Sequence, residues 1–125
     1  MSFQFTDICY VTPDVMKLRT FYETVFCAKA DGDEYHSFIS VGGLNLTFDW
    51  VKHLAEDPVF GYVSGERGSN AIICFNVDDV DSEYRRLTEM GIETLNEPTT
   101  HPWGARSFQF KDTDGNILNF RSLAG

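Results

Sequence analysis

Shifting the chain by 65 positions lays Ile8-Cys9-Tyr10 over Ile73-Cys74-Phe75 and Asp14-Val15 over Asp79-Val80. This self-similarity constrains the fold more than any composition does. Two copies of one pattern build two copies of one supersecondary unit, which then associate. Each copy opens with a short apolar run and passes into a helix signal. In the first, Thr12 can cap the helix, Pro13 suits its first turn, and Leu18, Phe21, Tyr22, Val25 and Phe26 recur at helical spacing. In the second, Asp78 or Asp79 can cap, Val80, Tyr84 and Leu87 form the apolar stripe, and Gly91 suits the stop.

Strand patterns follow each helix, over Tyr35 to Val41 and Leu44 to Phe48, then over Ala105 to Phe110 and Ile117 to Phe120. The last two make a hairpin, with Phe108 and Phe110 alternating on one arm and Leu118 and Phe120 on the other. Between them, Gly115 and Asn116 tolerate the positive φ of a tight turn. Leu118-Asn119-Phe120 repeats the earlier Leu44-Asn45-Leu46. The expected order in each half is a strand, a helix, then two or three strands. This gives an α+β fold with modules of about 1–50 and 70–125 and a connector over 51–69. Val59, Phe60, Tyr62 and Val63 in the connector could form a short strand or pack on a pocket. Glu66-Arg67 reads as a surface turn.

A chain of 125 residues is one domain by length. It contains no run of about 18 apolar residues, and its start lacks a basic segment followed by an apolar stretch. Three cysteines without CxxC spacing argue against a disulfide framework and a zinc ribbon, so a cytoplasmic setting is expected. With 19 acidic against 10 basic residues, the net charge of −9 disfavours nucleic acid and anionic membranes as partners and favours cationic ligands.

A duplicated βαβββ unit with Phe110-x-Asp112-x-Asp114-Gly115-Asn116 in its last hairpin resembles the vicinal oxygen chelate superfamily, which includes glyoxalase I, extradiol dioxygenases, fosfomycin-resistance transferases and bleomycin-resistance proteins. The start Asp7-Ile8-Cys9-Tyr10-Val11-Thr12-Pro13-Asp14, with Phe21-Tyr22 in the helix, is similar to the first-module pattern of that family. Pro102-Trp103-Gly104 with Arg106 and Phe108 looks more like its bleomycin-resistance branch. The resemblance implies two tandem modules forming a cup-shaped, mostly antiparallel sheet with helices outside. It also implies a homodimer, with modules paired within one chain or exchanged between two.

Metal-dependent members of that family take one ligand from the first strand and one from a late strand of each module. Carried onto this sequence, those positions are Asp7, Asn45, Ile72 and Asn119. Ile72 has no lone pair, two amides are neutral, and one carboxylate is a poor set for a transition ion. No metal or other cofactor is therefore expected. Strand alternation sends Ile8, Tyr10, Ile73 and Phe75 to the core with Leu46, Phe48, Leu118 and Phe120. That leaves Asp7, Cys9, Asn45, Thr47, Ile72, Cys74, Asn76, Asn119 and Arg121 on the cleft side. Asn45 and Asn119 could bond a ligand, each other, Thr47 or water.

By the same resemblance Trp103 would stack a flat ring, with Phe38, Trp50, Phe60 and Tyr62 as possible neighbours; it could equally plug the cup mouth or an interface. Cys9 and Cys74 read as buried, inert thiols, and His36 and His101 as solvent-facing or turn residues. The ligand-binding set is thus Asp7, Phe38, Asn45, Thr47, Trp103, Asn119 and Arg121. The expected function is non-catalytic binding of a polar, partly aromatic, cationic small molecule. The alternatives are a metal-dependent lyase, isomerase, dioxygenase or thiol transferase of the same superfamily, or a domain acting through protein contacts.

Overall fold

A computed structural model describes residues 2–59 and 71–123 and divides the chain into two compact units, residues 1–66 and 67–125. The connector residues Phe60, Tyr62, Val63, Glu66 and Arg67 lie outside the described residues. Each unit is α+β and repeats the other's topology, as the internal similarity requires.

The first unit runs β1 (Ile8–Thr12), α1 (Val15–Phe26), β2 (Asp31–Gly32), β3 (His36–Val41), β4 (Leu44–Trp50) and α2 (Val51–Ala55). Its sheet has the order β1-β4-β3-β2, with β1 parallel to β4 and the other pairs antiparallel. A helical crossover after β1 is what allows the parallel pairing. Val15, Leu18, Phe21, Tyr22 and Val25 are buried along one stripe of α1, and Tyr22 packs on Phe48 with ring centroids 5.5 Å apart. Ile39, Val41, Leu46 and Phe48 complete this core from the sheet.

The cap of α1 differs from the sequence expectation. Asp14 is the N-cap, in extended conformation, and its carboxylate accepts the Lys17 N–H at 3.0 Å. Thr12 ends β1 instead; it is fully buried, and its hydroxyl accepts the Asp14 N–H at 3.2 Å. Pro13, with no N–H to offer, fits between strand and cap rather than in the first turn.

The second unit runs β5 (Ile72–Asn76), α3 (Val80–Glu89), β6 (Thr99–Thr100), β7 (Ala105–Lys111) and β8 (Ile117–Leu123), with sheet order β5-β8-β7-β6 and β5 parallel to β8. Asp79 caps α3, accepting the Ser82 N–H at 3.1 Å, and Gly91 at φ +78° ends the helix by letting Ile92 N–H reach the Leu87 carbonyl. Phe108, Phe110, Leu118 and Phe120 are buried, with Phe110 and Phe120 edge to face at 4.8 Å and Tyr84 of α3 edge to face with Phe108.

The turn between β7 and β8 is organised by Asp112. This buried carboxylate accepts the N–H groups of Asp114 and Asn116 and the Asn116 side-chain amide, each at 2.9 Å. Gly115 alone takes positive φ (+89°); Asn116 contributes its side chain instead. Among the described residues no helix is long and apolar enough to cross a membrane.

Candidate functional site

Each sheet has one face packed on its helix and one face turned away from it. In the first unit the outward face carries Cys9 on β1, Asn45, Thr47 and Asp49 on β4, and His36, Phe38 and Ser40 on β3, in register as His36 with Asp49, Phe38 with Thr47, and Ser40 with Asn45. The expected residues Asp7, Phe38, Asn45 and Thr47 are therefore brought together. Thr47 donates its hydroxyl to Asp7 at 3.0 Å and Thr6 donates at 2.7 Å; those two bonds hold the Asp7 carboxyl below its ordinary value. Asn45 is occupied at both ends, accepting from the Ser40 hydroxyl and donating its amide to the Thr6 carbonyl at 3.0 Å.

Between these residues the structure assembles a trio that the sequence reading passed over. Asp49 accepts from the Cys9 thiol at 2.8 Å and pairs with Nδ1 of His36. His36 thus has a carboxylate partner rather than a purely solvent-facing role. Cys9 is also exposed rather than buried, as are Cys27 and Cys74, and all three are free. Partial desolvation of the thiol, then the Asp49 hydrogen bond and charge, push Cys9 up to about 11. Its inertness comes first from that partial desolvation and then from the neighbouring Asp49 carboxylate. The signal was in the sequence: Asp49 has the same strand parity as Asn45 and Thr47.

In the second unit the outward face holds Cys74 and Asn76 on β5, Asn119 and Arg121 on β8, and Ser107, Gln109 and Lys111 on β7. Asn119 accepts from the Gln109 amide at 2.7 Å and donates to the Cys74 sulfur at 3.5 Å. Gln109 is held in turn by Asn96, at 2.6 Å between their side chains. Arg121 lies opposite Ser107, and its Nε donates to Asn76 at 3.4 Å. Trp103 is 75% exposed and stacks on His101, with centroids 4.6 Å apart and planes 3° from parallel. His101 opens the turn over residues 101–105, the role expected of it, and also bonds through Nε2 to the buried Ser107 hydroxyl at 2.9 Å. Trp50, named as a possible neighbour of Trp103, tilts against Tyr35 with centroids 5.5 Å apart and lies beneath the Lys52 ammonium.

The superfamily's metal positions can now be tested against their surroundings. Asp7 is taken by two hydroxyls, Asn45 by Ser40 and Thr6, Asn119 by Gln109 and Cys74, and Ile72 is apolar. Neutral amides and one carboxylate do not suit zinc, nickel or iron. Among the described residues no group of three or more His, Cys, Asp or Glu is arranged to hold a metal ion.

Residues 4–120 match the model of the Glyoxalase/Bleomycin resistance protein/Dioxygenase superfamily. The chain belongs to this superfamily. The Bacillus subtilis protein YraH, uncharacterised, is 37% identical over 62 residues, 49% of this chain and 48% of its own. The chain spans about half the length of the curated relatives it matches. A Nocardioides glyoxalase/bleomycin resistance protein/dioxygenase has a similar structure, with TM-score 0.83 and 21% identity, covering 99% of this chain and 85% of that one. The fosfomycin resistance protein FosX of Listeria monocytogenes is similar at TM-score 0.75 and 19% identity, covering 98% and 94%. At these identities the structural likeness establishes the fold alone.

Proposed function

We propose that this member of the superfamily binds a polar, partly aromatic small molecule without transforming it. One observation carries the reading: where metal-dependent members place chelators, this chain places Asp7, Asn45, Ile72 and Asn119, and its three polar side chains are hydrogen-bonded to neutral groups. A Lewis-acid step needs a polarising ion held by anionic or imidazole ligands, which this donor set does not supply. Amides fixed by neighbours are instead preorganised donors and acceptors, and a ligand that matches them avoids their desolvation cost of roughly 1–3 kcal/mol apiece. Asp7 and Asp49 on the first sheet, within a chain of net charge −9, favour a cationic group on that ligand. Phe38, 48% exposed and in register with Thr47, offers a ring beside them.

In this reading the protein acts in the cytoplasm as a homodimer that sequesters its ligand, as bleomycin-resistance proteins do, with nucleic acid and membranes excluded as partners by its charge. Two measurements test it together. Equilibrium dialysis against zinc, nickel, manganese and ferrous iron should leave far less than one ion per chain. Calorimetric titration with bleomycin-type glycopeptides and planar cations should find a micromolar ligand. A stoichiometric ion that survives dialysis, or turnover abolished by a chelator, would refute the proposal.

A further inference from the structure

We infer that the outward face of the first sheet is a site for a planar nitrogen cation that carries N–H donors, an amidinium or guanidinium on an aromatic ring, with His36 as its acceptor. This inference rests on the small-molecule reading above and names the chemistry of the ligand's cationic group.

The hydroxyl and thiol protons on that face are spent within it. Thr47 and Thr6 donate to Asp7, Ser40 to Asn45, and the Cys9 thiol to one oxygen of Asp49. The other Asp49 oxygen pairs with Nδ1 of His36. A carboxylate brings no proton to that bond, so the proton stands on Nδ1, and Nε2 of the neutral ring is a lone pair. Nε2 has no hydrogen-bond partner among the described residues, and the His36 side chain is 55% exposed. What the face offers a ligand is therefore mainly lone pairs, on His36, Asp49, Asp7 and the Thr47 and Ser40 hydroxyls.

Register places a ring and negative charge beside these acceptors. Phe38 lies two residues from His36 on β3, about 7 Å along the strand, and pairs with Thr47 on one side and Asp31 on the other. Asp31 and Asp49 share this face with no Lys or Arg on the paired strands, and Asp7 joins them through Thr47. The carboxylates select a cation, and the half-exposed Phe38 ring selects a flat one that stacks. The lone pairs select a cation with N–H groups over a quaternary one.

His36 is also held in place before any ligand arrives. Asp33 accepts the N–H groups of Tyr35 and His36 at 2.9 and 3.0 Å, and its own N–H donates to the His36 carbonyl at 2.9 Å. From α1, Arg19 donates to the Gly32 carbonyl and to the buried Ser37 hydroxyl, each at 3.1 Å. Gly32 takes φ +107°, and a Cβ there would collide with the His36 carbonyl. The β2–β3 turn thus fixes the backbone on which the imidazole stands, and Asp49 fixes the ring. Little conformational freedom is left to lose on binding.

The test uses the full chain and two cations of equal charge, benzamidine and phenyltrimethylammonium, titrated by calorimetry at pH 8. The first joins a phenyl ring to a planar amidinium with N–H donors; the second has ring and charge but no donor. Benzamidine should bind about tenfold more tightly or better, the worth of one charge-assisted hydrogen bond. His36→Phe removes Nε2 and keeps a ring, so it should cut the preference to below about threefold while phenyltrimethylammonium still binds, which also reports an intact fold. Asp49→Asn, which releases the imidazole, should lower the preference too. Phe38→Ala should weaken both cations alike and leave their ratio unchanged. Equal affinity for the two cations in the wild type, or a preference that survives His36→Phe, overturns the inference while the binding of a cationic ligand stands. If neither cation binds at millimolar concentration, the inference and the cationic-ligand reading fall together.

Discussion

Replacing Asp49 by Asn should make Cys9 more reactive, and the size of the change can be worked from the face it sits on. The folded protein holds the Cys9 thiol at about 11 against an ordinary 9.0. At pH 8 the thiolate fraction is then about one in 10³ rather than about one in 10, a roughly hundredfold deficit. A more basic thiolate is also a better nucleophile, with a Brønsted coefficient of about 0.4–0.5, which returns roughly tenfold of that loss. Cys9 should therefore react roughly tenfold more slowly with a disulfide reagent than a thiol of ordinary acidity.

Desolvation is the largest cause of the shift and the Asp49 hydrogen bond the next. Asp49→Asn should accordingly recover only part of the rate, roughly threefold of the tenfold. The assay is a time course with 4,4′-dithiodipyridine from pH 7 to 11, followed by digestion and mass spectrometry, so that Cys9, Cys27 and Cys74 are read separately. The Cys9 rate in the wild type should still be climbing from pH 10 to 11, where the thiol is about half ionised; in the variant the climb should come at lower pH. A wild-type profile that levels off at or below pH 9, or an unchanged profile in Asp49→Asn, would refute the hydrogen-bonded trio.

Three further outcomes are expected. Asp112→Ala removes the acceptor of two backbone N–H groups in the β7–β8 turn and should cost about 2–4 kcal/mol in urea unfolding; a loss below about 1 kcal/mol would contradict the turn geometry. Because Trp103 is exposed, Trp103→Ala should leave the urea midpoint nearly unchanged, within about 0.5 kcal/mol; a larger loss would mean that the indole supports the fold. Glu23, Asp33, Asp79 and Asp81 all lie below their ordinary values, chiefly through bonds from Ala30 N–H, Tyr35 N–H, Ser82 N–H and the Arg106 guanidinium respectively. Lowered carboxyls stabilise the fold above the ordinary values of 3.8 and 4.5 and lose that contribution as pH falls through their folded-state values. Stability should thus be level from pH 7 to about 5 and decline below about 4, with a shallower acid limb in Asp81→Asn, measured by circular dichroism.

The arrangement of the first sheet shows how far a sequence reaches. Gly42 and Gly43, at φ +54° and +85°, make a two-residue hairpin turn between Val41 and Leu44. Counting back from that turn puts His36 opposite Asp49, so this pairing was legible once the loop length was read. What was missed is that strand parity applies to Asp49 as fully as to Asn45. Cys9 was harder to place, since its neighbour Asp49 comes from a strand 40 positions away that pairs in parallel. Local pattern gives no register across a helical crossover.

Period-2 alternation, the 65-position repeat and the turn residues determined two βαβββ units, the buried stripe of α1 and the outward parity of Asn45, Thr47, Asn119 and Arg121. These depend on neighbours a few residues apart, and short-range sterics fix them. Only the tertiary structure decided which polar groups are satisfied. Asn119 is spent on Gln109 and Cys74, Asp49 joins Cys9 to His36, Arg106 is locked by Asp81, and Arg121 reaches Asn76. A side chain's chemistry is set by what lies within about 3 Å of it, and in a folded sheet those atoms come from distant parts of the chain.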